Sequence, residues 1–380
     1  MRREGAMIDE RWRSVRKVLL VRLDNLGDVL LMTPAFHAIK ETLPLARLTL
    51  LASPVGAQVG ALDPDIDEVI VYQAPWMDPW QKLPQESERE QEMIARLKAG
   101  AFDAAIIFTS FRQSSLPAAY MCYLANIPLR AAASLDGPGS LLTTRHKHPE
   151  KMMHEVERGL DLVAAIGMHT QERDLVLDVP SGARSALKDR LVSYGVEAGR
   201  QLVVVHPGCS MPARTYPWEM YAGIIDLLVE QLGAYVIVTG AEDERALVER
   251  ILGQVDAENR RSVRSMAGIL PFPEFCALIQ AADLTITNNT GPMHIAAALK
   301  TPVVVLFALT NPPEQWGPWQ VPHRLLYHDV ACRICYSRVC PYEHECLRLV
   351  SPQMAVTAAA SLLAEAGKIG SVYTSLEVKR

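Results

Sequence analysis

Residues 283–307 read DLTITNNTGPMHIAAALKTPVVVLF, and this stretch decides the fold. An apolar strand leads through a polar Asn-Thr-Gly-Pro turn into a helix of small residues, and a second apolar strand follows. This order is typical of a parallel β-α-β unit, in which the helix begins at the carboxyl edge of the sheet. Unpaired amide N–H groups and the helix dipole favour an anion at that edge.

The turn in this unit carries more polar groups than a helix cap needs. Thr290 and His294 are placed to donate hydrogen bonds to a bound anion, and Gly291 lets the backbone approach it closely. Asn288, Asn289 and Thr290 can instead be read as caps of a structural helix. Because capping explains one such residue and not the whole cluster, we interpret the turn as a nucleotide-phosphate site.

Strands and helices alternate on both sides of this unit. A long helix is predicted at 29–43, between the first two strands. Strands are predicted at 17–23, 48–52, 69–72 and 104–108 in the first half and at 201–206, 234–239, 284–287 and 302–307 in the second. The alternation predicts an α/β protein with two doubly wound, parallel-sheet domains that face one another.

Composition and charge narrow the class of protein. The chain has 380 residues, of which 49% are hydrophobic, so it can bury more than one core. Its net charge is -5 and charges of both signs are mixed along the sequence, which disfavours nucleic acid as a partner. No apolar run is long enough to cross a bilayer, and residues 1–17 lack the apolar stretch of a secretory signal, so we expect a cytoplasmic protein.

Four of the seven cysteines lie close together, at Cys332, Cys335, Cys340 and Cys346. Their spacing suits a small knot of thiolate ligands around a structural zinc ion. Disulfides and free thiols are the alternatives, although a reducing cytoplasm disfavours disulfides.

Three further turns follow predicted strands and carry polar residues. Asp28 opens the helix after the first strand, where it is either a cap or a carboxylate that can accept a proton from a hydroxyl. Ser210 and Arg214 follow the strand at 201–206 and suit a diphosphate. Glu242 follows the strand at 234–239 at a position suited to ribose hydroxyls, or it lies in the first turn of a helix.

Three blocks of this sequence resemble glycosyltransferase family 9, the ADP-heptose:lipopolysaccharide heptosyltransferases. They are VLLVRLDNLGD with LLMTP at 18–34, HPG with RTYPW at 206–218, and NTGPMH at 289–294. The likeness covers about residues 17 to 365 in order and includes the cysteine cluster.

The resemblance implies a GT-B fold with two Rossmann-like domains across a cleft. Residues 1–178 would bind the acceptor, residues 179–350 would bind the nucleotide sugar, and residues 351–380 would form a helix that crosses back to the first domain, followed by a tail. The implied reaction inverts the anomeric centre, needs no cofactor for catalysis, and uses Asp28 as the general base. The implied donor-binding residues are Ser210, Arg214, Glu242, Asn289, Thr290, Gly291 and His294.

Two positions depart from the family pattern, which usually has Asp where this chain has Asn289 and Lys where it has Arg214. Arginine keeps the positive charge and adds a fork suited to phosphate oxygens. Asn289 removes a negative charge, so the donor sugar is less firmly implied than the reaction class. For the acceptor, Arg112, Gln113 and Ser114 follow the strand at 104–108 and are our candidates, and a solvated surface residue is the alternative for Arg112.

The expected function is transfer of a sugar, heptose from ADP-heptose, to a lipopolysaccharide-core or other glycan or glycolipid acceptor. A nucleotide-sugar epimerase and a non-catalytic nucleotide-sugar-binding protein are the alternatives. The basic residues near the N-terminus support at most a peripheral contact with the inner face of the membrane. Acidic neighbours reduce the positive charge of this segment. Those basic residues are Arg2, Arg3, Arg11, Arg13, Arg16 and Lys17.

Overall fold

Two units make up the chain, Met1–Asp178 and Val179–Arg380. A computed structural model describes residues 8–78, 80–84, 86–196 and 199–367. Each unit holds one six-stranded sheet in which all neighbouring strands are parallel. The α/β class and the pair of doubly wound sheets are therefore confirmed.

The first unit contains six strands and six helices within its described residues. In chain order these are β1 (Lys17–Arg22), α1 (Leu26–Leu30), α2 (Thr33–Thr42), β2 (Arg47–Ala52), α3 (Gly56–Gly60), β3 (Glu68–Val71), α4 (Glu88–Ala99), β4 (Ala104–Ile107), α5 (Leu116–Leu124), β5 (Leu129–Ala133), β6 (Thr144–His146) and α6 (Glu155–Ala164). The sheet order is β3-β2-β1-β4-β5-β6. Strands β1 and β4 are buried along nearly their whole length, as expected when helices cover both faces of a parallel sheet.

The second unit repeats this arrangement. Its elements are α7 (Ser181–Ser193), β7 (Leu202–His206), α8 (Trp218–Leu232), β8 (Tyr235–Val238), α9 (Arg245–Gln254), β9 (Val263–Ser265), α10 (Phe272–Ala281), β10 (Leu284–Asn288), α11 (Gly291–Ala298), β11 (Val303–Leu306), α12 (Pro313–Trp316), β12 (His323–Leu326), α13 (Glu345–Arg348) and α14 (Pro352–Glu365). The sheet order is β12-β11-β10-β7-β8-β9. Counted within its own unit, each sheet has the order 3-2-1-4-5-6 of a Rossmann fold.

The last helix belongs to the second unit. Buried residues of α14, among them Val356 and Leu363, join the core that is formed with α8 and strands β10 and β11. Helix α14 thus covers the sheet that precedes it in the chain, and the crossing back to the first domain that the resemblance implied stays a prediction. The tail at 368–380 lies outside the described residues.

The helix predicted at 29–43 is interrupted. It begins earlier, at Leu26, ends at Leu30, and restarts at Thr33. Pro34 lies at the start of the second segment, where its missing N–H leaves no hydrogen bond unmade. No helix in the described part of the chain combines the length and the apolar character needed to cross a membrane.

One buried acid of the first unit gives the stability of the protein a pH dependence. Asp63 is 4% exposed, and burial raises its pKa to about 7. Its Oδ1 accepts a hydrogen bond from the Asp65 amide at 2.9 Å, while Oδ2 has no partner among the described residues. Because the folded protein holds this proton more tightly than the unfolded chain, the free energy of unfolding falls as the pH rises from about 4 to 7.

We therefore expect Asp63→Asn to stabilise the protein at pH 8. The change keeps the acceptor for Asp65 and removes the buried charge, so the free energy of unfolding should rise by about 1 to 3 kcal/mol. The gain should shrink toward pH 4, because Asp63 is then protonated in the folded state and its buried charge is gone. Urea unfolding at several pH values measures it, and Asp136→Asn, at an exposed position, is the control. A gain that does not change with pH would contradict the assignment.

Candidate active site

Each sheet reverses its strand order at one place, between β1 and β4 in the first unit and between β7 and β10 in the second. Loops that leave adjacent strands in opposite directions open a crevice at such a point, beyond the carboxyl ends of the strands. The loops after these four strands carry most of the polar residues predicted from the sequence.

A buried ionic cluster lies at the reversal point of the first sheet. The Arg22 side chain is fully buried, and its Nη2 donates to Ser110 Oγ at 2.6 Å and to Asp28 Oδ1 at 3.3 Å. Asp24 Oδ2 lies 3.5 Å from the same Nη2 and accepts a hydrogen bond from Ser110 Oγ at 2.7 Å. One arginine therefore holds two carboxylates, and one serine bridges the end of β4 to the loop after β1.

The charges in this cluster depend on one another. Burial opposes the charge of Arg22, but neighbouring carboxylates, chiefly Asp24 and Asp28, outweigh it and raise the pKa of Arg22 above its usual value. Burial raises the pKa of Asp24, although Arg22 acts against this rise. The charges of Arg22, Asp24 and Asp28 thus stabilise one another, and removal of one of them leaves the others buried without a full set of partners.

The Asp28 carboxylate is held from both sides. Its Oδ2 accepts the Asn25 amide at 3.0 Å, which completes a capping box at the start of α1, and its Oδ1 accepts from Arg22 and, at 3.2 Å, from Ser110 Oγ. Its side chain is 12% exposed. Asp28 is therefore a cap, and it also belongs to the ionic cluster. Each carboxylate oxygen has two acceptor sites, so Oδ2 keeps one for a substrate hydroxyl.

The three residues predicted to bind the acceptor have different surroundings. Gln113 is part of the cluster, since its Oε1 accepts the Ser110 amide at 2.9 Å and its side chain is hydrogen-bonded to Asp24. Ser114 Oγ donates to Asp136 at 2.7 Å, and Arg112 is exposed with a left-handed backbone. Of these three, Gln113 is in hydrogen-bond contact with the cluster.

In the second unit, Asn288 at the end of β10 holds the loop after β7. Its Nδ2 donates to the Pro207 carbonyl at 2.8 Å, and its Oδ1 accepts the Tyr216 amide at 3.1 Å. Asn288 is fully buried. Both ends of the loop that carries Ser210 and Arg214 are thus attached to the neighbouring strand.

Arg214 and Thr290 approach each other around Cys209. The Thr290 hydroxyl is hydrogen-bonded to the Cys209 thiol, whose pKa burial raises and Arg214 lowers in part. Arg214 also donates from Nε to Thr310 Oγ1 at 3.0 Å, and Ser210 is exposed in the same loop. A half-buried guanidinium, the hydroxyls of Ser210 and Thr290 and the first turn of α11 therefore lie in the loops that leave the reversal point, and groups of these kinds are able to bind a diphosphate.

Asn289, Gly291 and His294 complete the predicted donor set. Asn289 is buried and ties β10 to the end of β11, because its Nδ2 donates to Asn311 Oδ1 at 3.1 Å and its Oδ1 accepts the Ala308 amide at 3.2 Å. His294, in the first turn of α11, is 6% exposed, and Gly291 begins that helix. The Asn289 amide therefore links the two strand ends through its Nδ2 donor, which an aspartate at this position would lack.

The acidic residues Glu242 and Glu244, in the turn after β8, have different surroundings. Glu242 is 72% exposed and forms an ion pair with Arg245 at 2.6 Å, and the hydrogen bond from Arg245 lowers the pKa of Glu242. Glu244 accepts the Ala241 amide at 2.8 Å and lies 3.7 Å from His206 Nε2, where burial lowers the pKa of His206. The Glu244 carboxylate, which the sequence did not single out, lies nearer the end of β7 than Glu242 does.

Gly208 fits this arrangement because it has no side chain. A Cβ at Gly208 would lie 2.0 Å from Glu244 Oε1, a distance that would force the carboxylate to move. The loop after β7 therefore passes directly against Glu244.

The four clustered cysteines line one cavity together with Ala213 and Leu309. Cys340 Sγ accepts the amides of Tyr342 at 3.4 Å and His344 at 3.3 Å. Within the described residues, no three of these thiols come within 4.8 Å of one another. The four cysteines thus line the same cavity, but their sulfur atoms are farther apart than the ligand atoms of a single metal ion would be.

Two of the basic residues near the N-terminus form contacts within the first unit. Arg11 forms an ion pair with Asp9 at 2.6 Å, and Lys17 donates to the Gly100 carbonyl at 3.2 Å. Arg2 and Arg3 lie outside the described residues.

Comparisons with known proteins agree with the fold and the motifs. Residues 91–345 match the family model described as glycosyltransferase family 9 (heptosyltransferase). Lipopolysaccharide heptosyltransferase 3 of Escherichia coli K12 is 26% identical over 77% of this chain and 82% of its own length.

Two solved structures share the architecture. A glycosyltransferase family 9 protein of Veillonella parvula superposes with a TM-score of 0.78 at 19% identity, covering 92% of this chain and 98% of that one. The E. coli ADP-heptose lipopolysaccharide heptosyltransferase II gives 0.74 at 20% identity, covering 92% and 99%. These likenesses establish the fold, and the family match spans more than half of the sequence. This chain therefore belongs to glycosyltransferase family 9, and it is a glycosyltransferase of the heptosyltransferase kind.

Proposed function

We propose that this enzyme transfers heptose from an ADP-linked donor to a hydroxyl of a lipopolysaccharide-core acceptor, with inversion at the anomeric carbon and Asp28 as the general base. Relatives that are lipopolysaccharide or lipooligosaccharide heptosyltransferases support the choice of donor and acceptor. The reversal point of the first sheet supports Asp28, after β1, as the general base. The reversal point of the second sheet supports diphosphate binding by the loops after β7 and β10.

The reaction needs one proton acceptor and one set of anion-binding groups. The acceptor oxygen attacks the anomeric carbon as the bond from that carbon to the diphosphate oxygen breaks, and the electron pair leaves with ADP. Asp28 takes the hydroxyl proton, because a sugar hydroxyl is a poor nucleophile until a carboxylate within hydrogen-bond reach accepts it.

The negative charge that develops on the leaving diphosphate must be met by fixed donors. Arg214, Ser210, Thr290 and the amides at the start of α11 supply such donors near the end of β10. His294 is more buried than these groups and would contribute from the base of the site. No step in this scheme calls on a cofactor.

A single observation carries the proposal. Asp28 stands at the reversal point of the first sheet with its carboxylate fixed by Arg22, Ser110 and the Asn25 amide, and 12% of its side chain stays exposed. A cap alone needs the bond to Asn25 and none of the other groups.

The test is a transfer assay with matched donors. The protein is incubated with a lipopolysaccharide core that lacks its outer heptose and with ADP-heptose, ADP-glucose or UDP-glucose in turn. We expect transfer from ADP-heptose, and NMR of the product should show an anomeric configuration opposite to that of the donor. Retention of configuration would contradict the assigned mechanism. Turnover of the donor without acceptor would instead favour a nucleotide-sugar epimerase.

We propose also that the four cysteines hold a structural zinc ion and take no part in catalysis. They share one cavity, and amide N–H groups directed at Cys340 Sγ stabilise the thiolate form that a metal needs. Because the thiols are spread more widely than a zinc shell, binding would draw the loop at 332–346 inward.

Protein purified without chelators should then contain one thiolate-bound zinc ion per chain. Exchange for Co2+ should give thiolate-to-metal charge-transfer absorption, and Cys340→Ser should abolish it. Cys122→Ala, which changes a buried cysteine far along the chain in the other unit, should leave the metal content unchanged. An unaltered cobalt spectrum in Cys340→Ser would argue against the site.

A further inference from the structure

A second group of ligand-bearing side chains lies in the first unit and shares no residue with the Asp28 cluster. His146 is the last residue of β6, His148 follows two residues later, and Asp161 lies in α6. His146 Nε2 is 2.6 Å from Asp161 Oδ2, and His148 Nδ1 is 2.8 Å from the same oxygen. Within the described residues, this is the one group of three whose possible ligand atoms all lie within 4.8 Å of one another.

The local backbone explains why the three side chains converge. Residues two apart in an extended segment point to the same side, so both imidazoles face α6. One ring uses Nε2 and the other Nδ1, and the rings meet edge to face at 5.0 Å between centroids. Two nitrogens and one carboxylate oxygen thus approach a common point from two elements of the fold.

The separations are near those of a metal shell. Ligand atoms about 2.1 Å from a tetrahedral ion lie about 3.4 Å apart, so the observed 2.6 and 2.8 Å would widen by about 0.6 to 0.8 Å when an ion binds. The side chains of His146, His148 and Asp161 are 17%, 12% and 27% exposed. All three are partly dehydrated, and each keeps some exposure to solvent.

The charges around this group also suit a cation. Asp161 supplies a carboxylate that both imidazoles contact. The neighbouring cation Arg158 is paired with Glu155 at 3.1 Å, so part of its repulsion is offset.

We propose that His146, His148 and Asp161 form a binding site for a divalent transition-metal ion such as Zn2+ or Co2+. Two imidazole nitrogens and one carboxylate oxygen are ligands that these ions accept, and water would fill the remaining positions. The bound ion would fasten the segment after the edge strand β6 to α6. The alternative is a hydrogen-bonded clamp, in which both rings simply donate to Asp161.

The test uses the full chain in the Cys340→Ser background, so that the cysteine cluster does not obscure the result. Chelator-treated protein is titrated with Co2+ and Zn2+ by calorimetry and melted with and without metal. We expect one equivalent to bind without thiolate-to-metal absorption. At a metal concentration of 100 times Kd, Tm should rise by about 5 to 10 °C.

Three variants and one control separate the metal site from the clamp. His146→Asn, His148→Asn and Asp161→Asn should each weaken Co2+ binding at least tenfold, whereas His169→Asn, at an exposed position, should bind as the parent does. A clamp predicts that the variants melt earlier in the absence of metal and that added metal protects none of the proteins. Protection of equal size in parent and variants would overturn the proposal.

A spectroscopic measurement covers the case in which the variants do not fold. X-ray absorption at the zinc edge of the Cys340→Ser protein should show nitrogen and oxygen neighbours and the outer-shell scattering of imidazole. Sulfur neighbours, or a shell without imidazole scattering, would refute the assignment.

Discussion

Asparagine in place of Asp28 should lower kcat for sugar transfer by a factor of about 100 to 10,000 and leave the Kd for the ADP-linked donor unchanged. The side-chain amide can still accept the Asn25 N–H, so the cap of α1 is kept, and Arg22 keeps Asp24 as its carboxylate partner. It cannot take up the proton of the attacking hydroxyl. Steady-state kinetics and calorimetric titration of ADP-sugar measure the two quantities.

Ser351→Ala provides the control for loss of a cap. Ser351 caps α14 through the bond from the Met354 amide to its Oγ, at 3.2 Å, so its removal should destabilise the protein by about 1 kcal/mol without altering transfer. If Asp28→Asn retains more than a tenth of the parent kcat, or loses donor affinity in proportion, then Asp28 is a cap and not the base.

Methionine in place of Arg22 should reduce the free energy of unfolding by about 3 to 5 kcal/mol at pH 8. Arg22 is fully buried, and its removal leaves Asp24 and Asp28 close together without a cation. Loss of the arginine also removes what holds down the pKa of Asp24, which burial already raises.

The pH dependence of this variant gives a second readout. A carboxyl group whose folded pKa is raised binds its proton more tightly in the folded state, so stability is lost as the pH rises through that range. Arg22→Met should therefore be closer to the parent at pH 5 than at pH 8 in urea unfolding. Arg47→Met, which breaks the exposed pair with Glu68, should change stability by at most about 1 kcal/mol at either pH. A loss for Arg22→Met as small as that would show that the cluster is not an electrostatic unit.

The central strands could be predicted from the sequence because parallel strands covered on both faces are continuous apolar runs. Strands β1, β4, β7, β10 and β11 were recognised in this way. The outer strands β6, β9 and β12 were not, since each is short and carries polar or half-buried residues such as those of Thr144–His146. Ala-rich β5 was missed because its composition does not separate strand from helix.

Candidate site residues could be predicted where a polar residue directly follows an apolar strand. They were missed where their contact depends on which strands are neighbours in the sheet. Asp28 and Thr290 stand out as polar residues after apolar runs. Arg22 does not, because it ends an apolar strand, and its partner Ser110 lies 88 residues away. Their contact arises because β1 and β4 are neighbours in the sheet, and one sequence does not state which strands are adjacent. The meeting of His146, His148 and Asp161 was missed for the same kind of reason.

The hydrogen bonds of Asn288 bear on how the enzyme would bind its donor. A single buried amide ties Pro207 and Tyr216, the two ends of the loop, to the end of β10. The loop is therefore given its shape during folding, and little conformational entropy remains to be lost when a ligand arrives. Preorganisation of this kind favours tight capture of an anion without an ordering step, so donor association should be fast and limited by diffusion and charge rather than by loop closure.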